Sequence, residues 1–248
     1  MKQLTRIVTT GDSATSRRMR QALERYKAMT PEQRDQADAA ETESRRLMVR
    51  EGTRLTAIAR CGLEGAMFDR KLDTLATDSE SQRQAVRTAR AFVNHFPELK
   101  KGLALWGEPG RRKSSIMAGI VHAVLTEKTR VYNVLYLPCQ EIDEIERTMD
   151  LGVAVANADL VVLDDIEKAM DEPGARYQSR TDKLVRSIIN RVDRVKRPIV
   201  CVTSNKGPDE QKKLGTAWAS RLVGLCHWQE VSGGDLRERD EDSVWWAQ

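Results

Sequence analysis

Four cysteines and three histidines are all that this 248-residue chain offers as soft metal ligands. Cys61, Cys139, Cys201 and Cys226 stand far apart with no CxxC pair, so neither a zinc site nor a disulfide scaffold follows from them. Three of them lie in or beside apolar stretches, where a buried thiol is the ordinary expectation. His95, His122 and His227 are too dispersed to form a metal cluster and are expected to be structural or surface residues. No apolar run approaches the roughly 18 residues of a membrane span, and the opening MKQLTRIVTTGDSATSRRMRQ has no stretch resembling a signal peptide. Internal repeats and low-complexity tracts are also missing. These absences exclude a fibrous or all-membrane chain and lead us to expect a reducing cytoplasm.

What is present is a core-forming composition with a charged surface. Hydrophobic residues make up 40% of the chain and charged residues 31%, which excludes a purely disordered protein. The formal net charge of +4 is unevenly placed: residues 1–60 hold 13 Lys/Arg against 8 Asp/Glu, while the remainder is slightly acidic. The basic excess is therefore entirely N-terminal.

Residues 13–29 are rich in helix formers, with Met19, Leu23 and Tyr26 on one face. Thr30-Pro31-Glu32-Gln33 predicts a new helix, with Thr30 as cap, Pro31 at the first helical position and Gln33 completing a capping box. Residues 1–60 read as a small helical module, poor in large apolar side chains, that leans on a partner. Residues 61–248 read as an α/β domain. Ser81–Phe96 is expected to be helical and to stop at Pro97. Short apolar strands follow at Gly102–Trp106, Val131–Leu137, Leu160–Leu163 and Ile199–Thr203. Helices are expected over Lys113–Thr126, Gln140–Met149 and Thr181–Arg194, and a polar loop over 169–180. Near-continuous apolar strands fit a mostly parallel sheet covered on both faces.

Gly107-Glu108-Pro109-Gly110-Arg111-Arg112-Lys113-Ser114 follows a strand and opens a helix, the context in which a phosphate loop has physical meaning. Backbone N–H groups curl around phosphate, Lys113 reaches β- and γ-phosphate oxygens, and the Ser114 hydroxyl ligates Mg²⁺. The pattern GxxxxGK[ST] is broken at its second glycine, here Arg112. A side chain there crowds the β-phosphate and opposes a glycine-type backbone conformation, although arginine can instead add a charge-assisted contact. Leu160–Leu163 ends in Asp164-Asp165. Asp164 is placed to hold the metal or its waters, and Asp165 to orient or deprotonate an attacking water. A third strand delivers Thr203, Ser204 and Asn205 to the same edge, where α/β proteins bind ligands.

In combination and order, these segments resemble AAA+ proteins of the bacterial and phage helicase-loader type, together with the related ATP-binding helpers of insertion-sequence transposition. The resemblance spans about residues 66–240 and rests on Met67-Phe68-Asp69, GLALWGEPGRRKSS, DLVVLDDIE, VCVTSNKGPDE and ASRLVGLCHWQEVSGGDLR. It implies a P-loop NTPase core binding ATP and Mg²⁺, with the Walker A stretch running through Ser115. Asp164 and Asp165 are then the Walker B acids, Asn205 is sensor 1, Arg221 the arginine finger and Arg237 a sensor 2 arginine. The family layout further implies a partner-binding N-terminal module and a homo-oligomer with ATP at its subunit interfaces. A helicase loader grips a DnaB-type replicative helicase near single-stranded DNA, an expectation that comes from the resemblance alone. A transposition helper instead engages duplex DNA and a transposase. A third reading, favoured by Arg112, is a non-hydrolysing adaptor with a degenerate phosphate loop.

Overall fold

The computed structural model describes residues 14–169, 180–213 and 217–234. The backbone divides into two compact units, residues 1–52 and 53–248. The division falls inside a long helix.

The first unit holds α1 (Ala14–Ala28) and the greater part of α2 (Pro31–Arg60). The break between them is set by a reciprocal capping box: Gln33 N donates to Thr30 Oγ1 at 3.3 Å, and Thr30 N to Gln33 Oε1 at 3.0 Å. Polar contacts close the turn. Tyr26 donates its hydroxyl to Asp38 at 2.9 Å, and Arg34 Nε donates to the Tyr26 carbonyl at 3.2 Å. None of the side chains described between residues 17 and 52 is buried, and Leu47, Met48 and Val49 lie open on α2. Two helices of this composition cannot bury enough apolar area to form a core of their own.

The second unit begins within α2 and continues through α3 (Gly65–Phe68), α4 (Glu80–His95), β1 (Gly102–Trp106) and α5 (Lys113–Thr126). Then come β2 (Val134–Pro138), α6 (Ile142–Thr148), α7 (Leu151–Asn157) and β3 (Leu160–Asp164). The chain closes with α8 (Arg180–Val195), β4 (Ile199–Ser204), α9 (Pro208–Lys213), α10 (Ala217–Leu225) and β5 (Cys226–Glu230). Among the described residues the five strands are parallel, in the order β2-β3-β4-β1-β5. This is an α/β fold with a parallel sheet.

Period-two alternation splits the core into two layers. Leu103, Leu105, Leu160 and Val162 face α4 and α5, with Ile116, Met117 and Ile120. Ala104, Val161, Leu163 and Val202 face the opposite way, toward Ile142, Val155, Ile189 and Leu222. Burial on both faces explains why these strands read as unbroken apolar runs. From β1 the chain crosses to the far edge and returns through β3 and β4, and β5, the last described strand, lies beyond β1. The carboxyl ends of β1 and β4 thus become neighbours at the point where strand order reverses, the usual place for a ligand crevice.

Several boundaries differ from the sequence expectation. The second strand starts at Val134 rather than Val131, because 131–133 lead in without sheet pairing. The expected Gln140–Met149 helix opens as a 3₁₀ turn, Cys139–Glu141, before α6. Helix α7 and strand β5 were not expected. The sequence of β5, CHWQE, alternates with polar residues because it pairs only with β1 at a sheet edge. Of the expected 169–180 loop, Ala169 ends a 3₁₀ turn and Arg180 opens α8; residues 170–179 lie outside the described ones.

Candidate functional site

The site is assembled by the loops leaving β1, β3 and β4. After Trp106 the chain turns at Gly107, whose φ of +143° and whose close approach to the Val231 carbonyl leave no room for a Cβ. Gly107 N donates to the Ser204 carbonyl at 3.2 Å, which ties the loop to the end of β4. The loop then doubles back onto the N-terminus of α5. Arg112 is the residue immediately before that helix, with φ +67° and ψ +15°. The left-handed conformation that glycine would adopt is therefore kept, with arginine in it. The sequence suggested that a side chain here opposes that geometry; the fold imposes it, at a cost of about 1–2 kcal/mol.

Lys113 is only 5% exposed and donates its ammonium to three acceptors: Gly107 O at 2.7 Å, Glu108 O at 2.9 Å and Asn205 Oδ1 at 2.9 Å. The lysine thereby joins the β1 loop to the residue following β4. Ser114 Oγ donates to Asp164 Oδ1 at 2.9 Å, and Thr203 Oγ1 donates to the same oxygen at 2.5 Å. Asp165 is held through its backbone, N to Thr203 Oγ1 at 2.8 Å, with φ +53°. Burial, and next the charge of Asp164, push the Asp165 carboxyl above the usual carboxylate range. Lys113, Ser114, Asp165 and Asn205 border a cavity of about 380 Å³, lined also by residues 109–112 with Ser115, Arg70 and Lys168.

The structure thus brings together Gly107 through Ser115, Asp164, Asp165 and Asn205. Glu108 and Arg111 pair with each other at the rim. Arg221 is not among them. It projects from α10, donates to Asn190, and lies 3.5 Å from Asp193. There it borders a separate basic cavity of about 580 Å³ with Lys183, Arg186 and Arg194. Arg237 lies outside the described residues.

Three supporting groups were not found by sequence reasoning. Arg70 and Lys168 add cationic charge to the cavity wall. Glu167 holds the turn that carries Asn205, its Oε1 accepting from Asn205 N at 2.7 Å and Lys206 N at 3.2 Å. The DLVVLDDIE segment contained Glu167, but only the folding of β4 beside β3 reveals what it touches. Chemically, a ring of N–H groups, a buried ammonium and adjacent hydroxyl and carboxylate oxygens could cradle a phosphate chain with a hard divalent cation. Among the described residues no group of three or more His, Cys, Asp or Glu side chains could hold a metal by itself.

No protein-family profile matches the chain. Among solved structures it is similar to the DnaC helicase loader, at 22% identity with a TM-score of 0.54, over 68% of this chain and 100% of that one. It is also similar to DnaI, at 19% identity and TM-score 0.55, over 70% of this chain and 94% of that one. The chain shares the fold of these solved structures. A DnaA replication initiator bound to AMPPCP and single-stranded DNA matches at 14% identity and TM-score 0.53, over 73% of this chain and 57% of that one. Among curated proteins, 52 residues are 38% identical to human probable helicase senataxin, covering 21% of this chain but 2% of that protein. An AAA-ATPase of Arabidopsis thaliana is 23% identical over 120 residues, 46% of this chain and 24% of that protein. The chain therefore corresponds to a small part of these curated relatives. No helix among the described residues is long and apolar enough to cross a membrane.

The left-handed geometry at Arg112 gives a direct test. Arg112→Val places a β-branched side chain at φ +67° and is expected to cost about 1–2 kcal/mol more than Arg112→Gly in urea unfolding. Equal stability of the two variants would contradict the strained conformation.

Proposed function

We propose that this chain is an ATP-dependent loader or remodeller of a replicative DNA helicase, acting as an oligomeric AAA+ assembly near single-stranded DNA. The observation that carries the reading is the convergence of Lys113, Ser114, Asp164 and Asn205 at the carboxyl edge of a sheet with the DnaC fold. The DnaA structure, bound to AMPPCP and single-stranded DNA, offers the same ligand classes by analogy of fold. A cytoplasmic location goes with this reading, and the four cysteines are all free and buried.

In this proposal the loop N–H groups and Lys113 bind the triphosphate of ATP, the ammonium exchanging its main-chain carbonyls for β- and γ-phosphate oxygens. Ser114 Oγ and Asp164 hold Mg²⁺, which when bound neutralises charge across the phosphates. Asp165 accepts the proton of the attacking water, and Asn205 orients that water. Arg221 lines a different cavity from the one bordered by Lys113. It suits a role across a subunit boundary, offered to the ATP of a neighbouring copy, with Arg237 as the sensor 2 residue on its own subunit's nucleotide. Residues 1–60 form the partner-binding module; their basic excess and their open Leu47, Met48 and Val49 suit docking onto another protein.

The adaptor reading keeps one observation in its favour, the Arg112 side chain lining the phosphate cavity. Steady-state ATP hydrolysis separates the two. Wild-type turnover should fall at least about 100-fold in Lys113→Ala, through loss of the charge that meets the transferring phosphoryl group. In Arg221→Ala nucleotide binding should persist, while hydrolysis by the assembly drops by about 10³-fold, the low end of the range for a lost arginine finger. A wild-type chain that binds ATP without turnover supports the adaptor instead.

Partner identity is tested by offering the full chain a purified DnaB-type hexamer and, separately, a transposase. Retention of the hexamer, strengthened by ATP, is the expected result; retention of the transposase alone would overturn the loader reading.

A further inference from the structure

Tyr136 belongs to no sequence motif, yet it reaches the metal-facing acid of the site. Its hydroxyl donates to Asp164 Oδ2 at 2.5 Å. The other carboxylate oxygen, Oδ1, already accepts from Ser114 and Thr203. A carboxylate bonded on both oxygens from different strands is fixed in rotation as well as in position. Tyr136 is buried, with 3% of its surface exposed, so its hydroxyl is held against Asp164 and away from solvent.

Tyr136 is itself anchored from the opposite side. Its main-chain N–H donates to the Cys61 carbonyl at 2.6 Å. Gly62 follows with φ +83°, in a position where a Cβ would collide with the Tyr136 carbonyl. The Cys61–Gly62 segment thus lies directly on the edge strand at the residue that bears the phenol.

We propose that Tyr136 is a positioning residue for the divalent cation at Asp164, clamped in place by the Cys61–Gly62 segment. The inference rests on the nucleotide-site reading given above. Its chemistry is that of an outer-shell donor: the hydroxyl selects one carboxylate orientation, so that Asp164 presents its oxygen to the cation beside Ser114 rather than rotating away. Substitution of such partners lowers metal affinity by about 10–100-fold where the protein supplies most ligands. Here two hydroxyl donors remain on Asp164 and phosphate shares the cation, so the effect should lie at the lower end.

The test uses the full chain and a fluorescent ATP analogue, with Mg²⁺ as the titrant, in wild type and Tyr136→Phe. Phenylalanine keeps the ring and the strand and removes the hydroxyl alone. The Mg²⁺ concentration for half-maximal binding should rise about 10-fold. Affinity for the analogue in EDTA should stay within about twofold, and the melting temperature should confirm that both proteins are folded. Unchanged Mg²⁺ dependence overturns the proposal. So does a parallel loss of metal-free and metal-dependent binding, which marks a purely structural role. A wild-type chain that fails to bind the analogue at all overturns the nucleotide-site reading, and this inference with it.

Discussion

A buried ammonium holds this site together. Lys113 is almost fully enclosed, and a charge removed from water is tolerated only when hydrogen-bond acceptors replace its hydration. Its acceptors come from two chain segments, the main-chain carbonyls of Gly107 and Glu108 and the side chain of Asn205. That requirement is met because the sheet order sets β4 beside β1. The crossover topology, the glycine at 107 and the left-handed Arg112 all serve the same end, which is to return the loop over the lysine. A triphosphate would compete for that ammonium with better acceptors than neutral carbonyls, since charge-assisted hydrogen bonds are about twice as strong as neutral ones. The enclosed lysine is thus poised between acceptors of the protein and those of a ligand.

The acid side of the site follows a related logic. Asp164 and Asp165 are adjacent carboxylates, and burial, followed by the charge of Asp164, raises the pKa of Asp165. Hydroxyls from Ser114, Thr203 and Tyr136 converge on Asp164, while Asp165 is held through its backbone. The two neighbours therefore occupy different environments, although they are adjacent residues of the same type. Charge placement extends the contrast to the whole chain. Residues 61–248 are close to neutral, whereas the basic excess lies in the first 60 residues.

Much of the architecture was legible because the local signals agreed with the tertiary ones. The strands β1, β3 and β4 are apolar on both faces, and helix α5 begins where the phosphate loop ends, so their positions followed from the residues. The Thr30–Gln33 box is local and formed as its spacing required. Strand β5 escaped notice because an edge strand need not be apolar throughout. Tyr136 and Glu167 escaped for another reason: their partners lie 28 and 38 residues away, and only the folded sheet brings each to its partner. Arg112 was legible as a departure, but its outcome depended on whether the loop or the side chain would yield. The surrounding contacts over-determine the loop, and arginine accepts the glycine conformation.

The central claim is that Lys113, Ser114 and Asp164 form a nucleotide site in a loop that carries arginine where glycine is usual. A crystal structure of the chain with Mg²⁺ and a non-hydrolysable ATP analogue tests it most directly. The account predicts the triphosphate in the cavity bordered by residues 109–115, with Lys113 turned from the Gly107 and Glu108 carbonyls to phosphate oxygens. Mg²⁺ should lie between Ser114 and Asp164. A loop that stays closed on Lys113 at saturating analogue, or nucleotide bound elsewhere, would contradict it.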